Sequence, residues 1–210
     1  MGDCDMDGLT LYDHPESGNG HKVRLLLSLL NIDYTLVFKD IHKGETRLPD
    51  FLAINPNGRI PALQLADGRC LSESNAILFF LAEGTDYMPQ DPYLRAKVMS
   101  WLMWEQYEHE PTIAVARFWC HHLDMTPDRK ALLAEKQTKG KAALALMEKT
   151  FSLAEWAVGT DPSIADIALY SYTSVAEEGG ISLTPYPAMR QWLNRMAALP
   201  GFIPMDPWTG

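Results

Sequence analysis

Three short segments carry groups whose types and spacing could do chemistry. The first is Ser17-Gly18-Asn19-Gly20-His21-Lys22-Val23-Arg24. Two glycines in the opening turn of a helix each cost about 1 kcal/mol relative to alanine, which is simplest to understand if something must approach that backbone. Helix-start N–H groups and the positive dipole end favour an anion there. Ser17 also suits a plain N-cap role. The second segment is Asn55-Pro56-Asn57-Gly58-Arg59-Ile60-Pro61-Ala62-Leu63. A proline just before a strand cannot donate to the ladder, but a cis Ile60–Pro61 bond would turn the Ile60 N–H and C=O outward. An extended peptide could pair with them by strand addition, which reads backbone rather than side chains. The third segment, Leu71-Ser72-Glu73-Ser74-Asn75-Ala76-Ile77, places Glu73 and Ser74 at another helix start. Ser74 can present a hydroxyl and an N–H to a carboxylate, and Glu73 can receive an ammonium group directly or through a neighbour.

The elements that must position these groups alternate before Glu83. Leu9 to Asp13 and Tyr34 to Phe38 read as strands, and Val23, Leu26, Leu27 and Leu30 mark one helical face between them. The runs 62–66 and 69–71 flank Asp67-Gly68, a two-residue hairpin signal in which both central positions need positive φ. Residues 73–83 carry Ile77, Leu78, Phe80 and Leu81 at helical spacing. The element order over 8–83 is β-α-β then β-β-α, and the three segments converge if its strand order is that of a thioredoxin-like sheet, which is the expected fold of this domain. After Glu83 the strand signals stop, and the expected fold is α+β, with an all-helical domain over 91–210. Asp91-Pro92 starts its first helix, and Pro111 predicts a kink or break. Further helices are expected over 128–151, 163–176 and 187–197. Ser163 and Asp166 have the spacing of a capping box, with Asp in the place of the usual Glu, so their role is structural.

Composition excludes several partners. Hydrophobic residues make up 47% and charged residues 21% of 210, ordinary for a globular chain. Eighteen Lys and Arg against 27 Asp and Glu leave a net charge of −9, and both sides of Glu83 are acidic. This argues against phosphate-neutralising nucleic-acid binding and against anionic membranes. The longest aliphatic stretch, near Leu25 to Leu30, is far shorter than the roughly 20 residues that span a bilayer. The acidic N-terminus lacks the features of a secretory signal, so cytoplasmic residence is expected. Cys4, Cys70 and Cys120 are too widely spaced for a redox or zinc pair. Asp3, Asp5, Asp7 and Gly8 open like a calcium loop, but His14 stands where the bidentate Glu belongs, and a solvated acidic tail is the expectation. Cys120, His121 and His122 are adjacent on a helix and point about 100° apart. No metal site is expected. Trp101, Trp104, Tyr107 and Phe118 could line an apolar pocket, although spacing alone favours a helical core.

Taken in order, Ser17 to Arg24, Asn55-Pro56 with Ile60-Pro61-Ala62-Leu63, and Glu73-Ser74-Asn75-Ala76-Ile77 resemble the glutathione S-transferase family. The resemblance covers almost the whole chain, and Ser163-Ile164-Ala165-Asp166-Ile167-Ala168-Leu169 is similar to that family's capping-box helix. It implies glutathione as co-substrate, no metal, a hydrophobic electrophile site built largely by the helical domain, a homodimer and a detoxification role. By position, Ile60, held by Pro61, pairs with the cysteinyl backbone, while Glu73 and Ser74 hold the γ-glutamyl end. Lys43 and Arg59 are candidates for the glycyl carboxylate. Ser17 and Asn19 lie where bacterial members face the sulfur. Other branches use a tyrosine or a cysteine, but Tyr12 stands too early here and no cysteine occupies the serine's position. Trp104, Tyr107, His109 and Phe118 are the candidate electrophile contacts. A donor to the sulfur anion lowers the thiol pKa from about 8.5, each unit being worth about 1.4 kcal/mol. The expected activity is glutathione transfer to an electrophilic small molecule. Glutathione-dependent disulfide reduction and a non-catalytic binding role are the alternatives.

Overall fold

The computed structural model describes residues 6–205, and the acidic positions Asp3 and Asp5, with Cys4, lie outside them. The chain divides into two compact units, residues up to Glu83 with the segment 200–205, and residues 84–199.

The first unit is a four-stranded sheet with helices. In chain order it runs β1 (Leu9–Asp13), α1 (Gly18–Leu29), β2 (Tyr34–Phe38), a 3-10 turn (Glu45–Arg47), the short α2 (Pro49–Leu52), β3 (Ala62–Gln64), β4 (Cys70–Ser72) and α3 (Ser74–Ala82). The strand order is β2-β1-β3-β4. β1 pairs parallel to β2, with Leu11 opposite Leu36, and antiparallel to β3, with Leu11 opposite Leu63. This is the thioredoxin-like arrangement. Leu9, Leu11, Leu63, Ile77 and Leu78 are fully buried in its core.

The hairpin differs from the two-residue turn expected at Asp67-Gly68. Leu65 N–H donates to the Arg69 carbonyl at 2.8 Å, Gly68 N–H donates to the Leu65 carbonyl at 2.9 Å, and only Gly68 has positive φ, +86°. The loop is therefore one residue longer, a turn closed by a left-handed glycine, and asks only one position to leave the ordinary region.

α1 is buried nearly all round, from Gly20 to Leu27. Its polar side chains must then find partners inside. Arg24 Nε lies 3.0 Å from Asp13 Oδ2, and His21 Nε2 lies 3.1 Å from the Ile203 carbonyl. With Ser28 Oγ donating to the Gly201 carbonyl at 2.7 Å, that contact fastens the segment 200–205 to α1. Gly20 has its reason here: a Cβ on it would collide with the Asp13 carboxylate.

The second unit is helical: α4 (Pro92–Trp104), a π-helical turn (Glu105–His109), α5 (Glu110–His122), α6 (Pro127–Phe151), α7 (Ile164–Thr173), a 3-10 turn (Ala176–Gly179) and α8 (Pro187–Ala197). Asp91 caps α4, accepting from Leu94 N–H at 2.9 Å. The break expected at Pro111 takes the form of the π turn just before it. Proline lacks the N–H that would continue the ladder, and the widened turn absorbs the mismatch. Ser163 and Asp166 form a reciprocal capping box at α7. α7 ends at Thr173 rather than 176, where Thr173 Oγ1 donates back to the Leu169 carbonyl at 2.7 Å. Trp192 on α8 stacks on Phe151 of α6 at 4.4 Å. Among the described residues, no helix is long and apolar enough to cross a membrane.

Candidate functional site: two helix starts and a bulging loop

Ser17 ends the β1–α1 turn in extended conformation, and its Oγ accepts the Gly20 N–H at 3.1 Å. The N-cap role is thus present. It uses an oxygen lone pair and leaves the hydroxyl proton able to donate, so capping and facing a ligand are compatible. Asn19, the second residue of α1, accepts at Oδ1 from Lys22 Nζ (2.7 Å) and from Ser74 Oγ (3.3 Å). An ammonium can only donate, which assigns the atom facing it as the oxygen and sends the amide N–H2 to the opposite branch. Lys22 was not among the residues singled out from sequence. Its side chain is fully buried, a placement that tertiary packing sets and that His21, Val23 and Arg24 around it do not announce.

Ser74 opens α3 and is buried, while Glu73 before it is exposed. Glu73 has φ 68° and ψ 112°, a region that side chains bearing a Cβ rarely adopt. That conformation turns the chain sharply from β4 into α3. The Ser74–Asn19 hydrogen bond joins the α1 and α3 helix starts within one unit.

The Ile60–Pro61 peptide is cis. Ile60 lies outside β3, and its backbone makes no hydrogen bond among the described residues. Asn55, buried, holds the loop by donating from Nδ2 to the Arg59 carbonyl at 2.7 Å. Beside it is a cavity of about 310 Å³ lined by Ile41, Gly44, Thr46, Arg47, Gly58, Arg59 and Ile60. Arg59 and Ile60 both line this cavity, and Gly44 rather than Lys43 is in its wall. Lys43 is exposed and pairs with Asp40 at 3.0 Å, a hydrogen bond that raises the Lys43 pKa and lowers that of Asp40. Arg47 brings a second guanidinium, steered by donation to the Asn57 carbonyl at 2.9 Å. No motif in the sequence marked it.

The electrophile candidates lie in the helical unit and are not equivalent. Trp104 closes α4 against Trp101, ring centroids 5.1 Å apart. Tyr107, on the π turn, is 83% exposed, and Phe118 on α5 is 40% exposed and packs on His122 at 4.7 Å. His109 has no accessible surface and bonds through Nε2 to Thr173 Oγ1 at 2.8 Å. As placed, it offers nothing to a ligand and braces the π turn from inside. His121 of the Cys120-His121-His122 run lies 3.2 Å from Glu178, consistent with a helix-surface role.

A thioredoxin-like unit followed by a helical unit, with two facing helix starts and a cis-proline loop on the first, defines a class. The glutathione S-transferase N-terminal domain family model matches residues 7–83, and the C-terminal domain model matches 98–200. The chain belongs to the glutathione S-transferase family. It is 32% identical to the disulfide-bond oxidoreductase YfcG of Escherichia coli K12, over 91% of this chain and 91% of that protein. It is 28% identical to the transcriptional regulator URE2 of Saccharomyces cerevisiae, covering 94% of this chain and 67% of the yeast protein. Among solved structures, a glutathione S-transferase from Pseudomonas fluorescens Pf-5 superposes with a TM-score of 0.93 at 45% identity, covering 95% of this chain and 99% of that one.

Proposed function

We propose that the protein binds glutathione on its first unit and activates the thiol for attack on an electrophilic small molecule. The observation that carries this reading is the Ser74 Oγ to Asn19 Oδ1 hydrogen bond of 3.3 Å. It couples the helix start suited to the γ-glutamyl end to the one suited to the sulfur, so a single extended tripeptide can engage both. In this reading Ile60 pairs with the cysteinyl backbone, Glu73 and Ser74 take the γ-glutamyl ammonium and carboxylate, and Arg47 and Arg59, with Lys43 at the margin, take the glycyl carboxylate. The Ser17 hydroxyl and the Asn19 amide donate to the sulfur. Donors favour the charged form, so the thiolate is populated below its ordinary pKa of about 8.5. Trp104, Tyr107 and Phe118 are the electrophile contacts contributed by the helical unit. The resemblance to the family further supports a cytoplasmic homodimer acting in detoxification. Light scattering at micromolar concentration is expected to give twice the chain mass of 23.6 kDa, and a monomer mass would remove the dimer.

Calorimetry with glutathione tests the site. Glu73→Ala and Ser74→Ala should each weaken binding about tenfold, the effect of losing one hydrogen bond to a charged group. Unchanged affinity in both variants would sink the γ-glutamyl assignment.

The relationship to YfcG favours disulfide reduction as a second reading. There the thiolate attacks one sulfur of a disulfide, the S–S bond breaks and the other sulfur leaves as thiolate. A second glutathione then attacks the mixed disulfide, releasing the remaining thiol and oxidised glutathione. The described cysteines are Cys70 on β4 and Cys120 on α5, so the resolving thiol is assigned to glutathione. A panel of an aryl halide, a haloalkane, a peroxide and hydroxyethyl disulfide separates these readings. Binding without turnover of any of them would leave a ligand-binding protein of this fold.

A further inference from the structure

His14, directly after β1, Glu16 in the turn before α1 and His42 in the loop after β2 each offer one ligand atom, all within 4.8 Å of one another. None of the three is assigned to glutathione above. His14 is 8% exposed and packs against the Phe38 ring at 5.3 Å and the His42 ring at 5.5 Å. Its Nε2 is 3.7 Å from Glu16 Oε2, too far for a hydrogen bond, and its Nδ1 is buried with no hydrogen-bond partner among the described residues. Buried polar nitrogens ordinarily find partners. An imidazole fixed by packing, with its buried Nδ1 unpartnered among the described residues, is placed to give a lone pair to an electron acceptor.

The donor set narrows the acceptor to a borderline divalent cation of the zinc type. Two imidazoles and one carboxylate match the zinc sites that use three protein ligands and keep a fourth position open. Calcium and magnesium ask for oxygen ligands throughout, and copper(I) asks for sulfur. Bond lengths of about 2.0–2.2 Å place donors roughly 3.4 Å apart around a tetrahedral ion, so the cluster must contract by about an ångström. Glu16, half-buried, and His42, exposed on its loop, are the members able to close on His14. We propose that His14, Glu16 and His42 form a binding site for a zinc-type divalent cation with an open coordination position, set in the turn that leads to Ser17.

The full chain, stripped with chelator, is titrated with Co²⁺ as the spectroscopic probe and then with Zn²⁺ in competition. The expected result is one saturable Co²⁺ equivalent with visible absorption of low coordination number, displaced by Zn²⁺. His42→Ala and Glu16→Gln should each weaken binding at least about tenfold, the lower edge of what losing even an outer-shell partner costs. Neither residue is buried, so both variants test the site without relying on a His14 substitution that could disturb folding. The double variant His121→Ala, His122→Ala should leave the titration unchanged. Absence of saturable binding, affinity unaltered in His42→Ala and Glu16→Gln, or binding abolished by the His121/His122 double variant would overturn the proposal.

Discussion

Replacing Asn19 with aspartate is expected to lower glutathione-dependent turnover near neutral pH by about a hundredfold while the protein stays folded. The substitution keeps an oxygen facing Lys22 Nζ and Ser74 Oγ, the two donors that orient this side chain. It replaces the amide N–H2 with a second carboxylate oxygen. In the proposed site a donor to the sulfur becomes an anion beside it, and removing one preorganised donor alone costs on the order of 10² in rate. The bound-thiol pKa then rises. The loss should therefore be largest below the unperturbed value near 8.5 and shrink as alkaline pH ionises glutathione unaided. Ser17→Ala is the comparison. It removes the cap of α1, costing about 1 kcal/mol of stability, and also removes the hydroxyl donor. Thiolate absorbance titrated in both variants assigns the donor: a shift in Asn19→Asp alone makes Ser17 a structural cap, and a shift in neither removes both from the chemistry.

The largest effect on stability is expected at Asp166. Its carboxylate accepts from Ala157 N–H, Ser163 N–H, Ser163 Oγ and Trp192 Nε1 at 2.9–3.1 Å, all inside the helical unit. Asp166→Ala leaves at least three buried donors without that acceptor, each such group being worth about 1–3 kcal/mol. A destabilisation of about 3 kcal/mol or more, and a fall in Tm on the order of 10 °C, should follow in a calorimetric scan. Burial is the largest influence on this carboxyl and raises its pKa, while the four donors act to lower it. With a raised value the folded state keeps a proton that the unfolded chain has released. The stabilisation from that proton is thus full below the unfolded value near 3.9 and is lost as pH rises through the folded one. Asp166→Ala should lack that slope. An unaltered Tm would show that the α7 start is held by its apolar packing alone.

Much of this architecture was legible in residue order. Apolar spacing around Val23 and Leu26 marked α1, β-branched and aromatic runs marked β1 and β2, and Ser163 with Asp166 marked the start of α7, because each signal depends on local backbone chemistry. Features set by tertiary contact were not legible. Asp67-Gly68 gave the right hairpin with the wrong turn, since loop length depends on how β3 and β4 register. Gly20 suggested an approaching ligand, whereas the group that excludes a Cβ there is Asp13 of the same unit. Arg47 reaches the Ile60 cavity, and His109 is fully buried. Lys22 stood in plain view, yet its importance depends on Asn19 and Ser74, which lie 55 residues apart.

The backbone at Glu73 has a consequence for how this protein can change. A side chain held at φ 68°, ψ 112° costs about 1–3 kcal/mol that glycine would not incur. If Glu73 holds the γ-glutamyl end as proposed, stability and ligand recognition favour different residues at this one position. Variants chosen only for heat resistance would drift toward glycine there and lose the carboxylate on which the proposed γ-glutamyl contact depends.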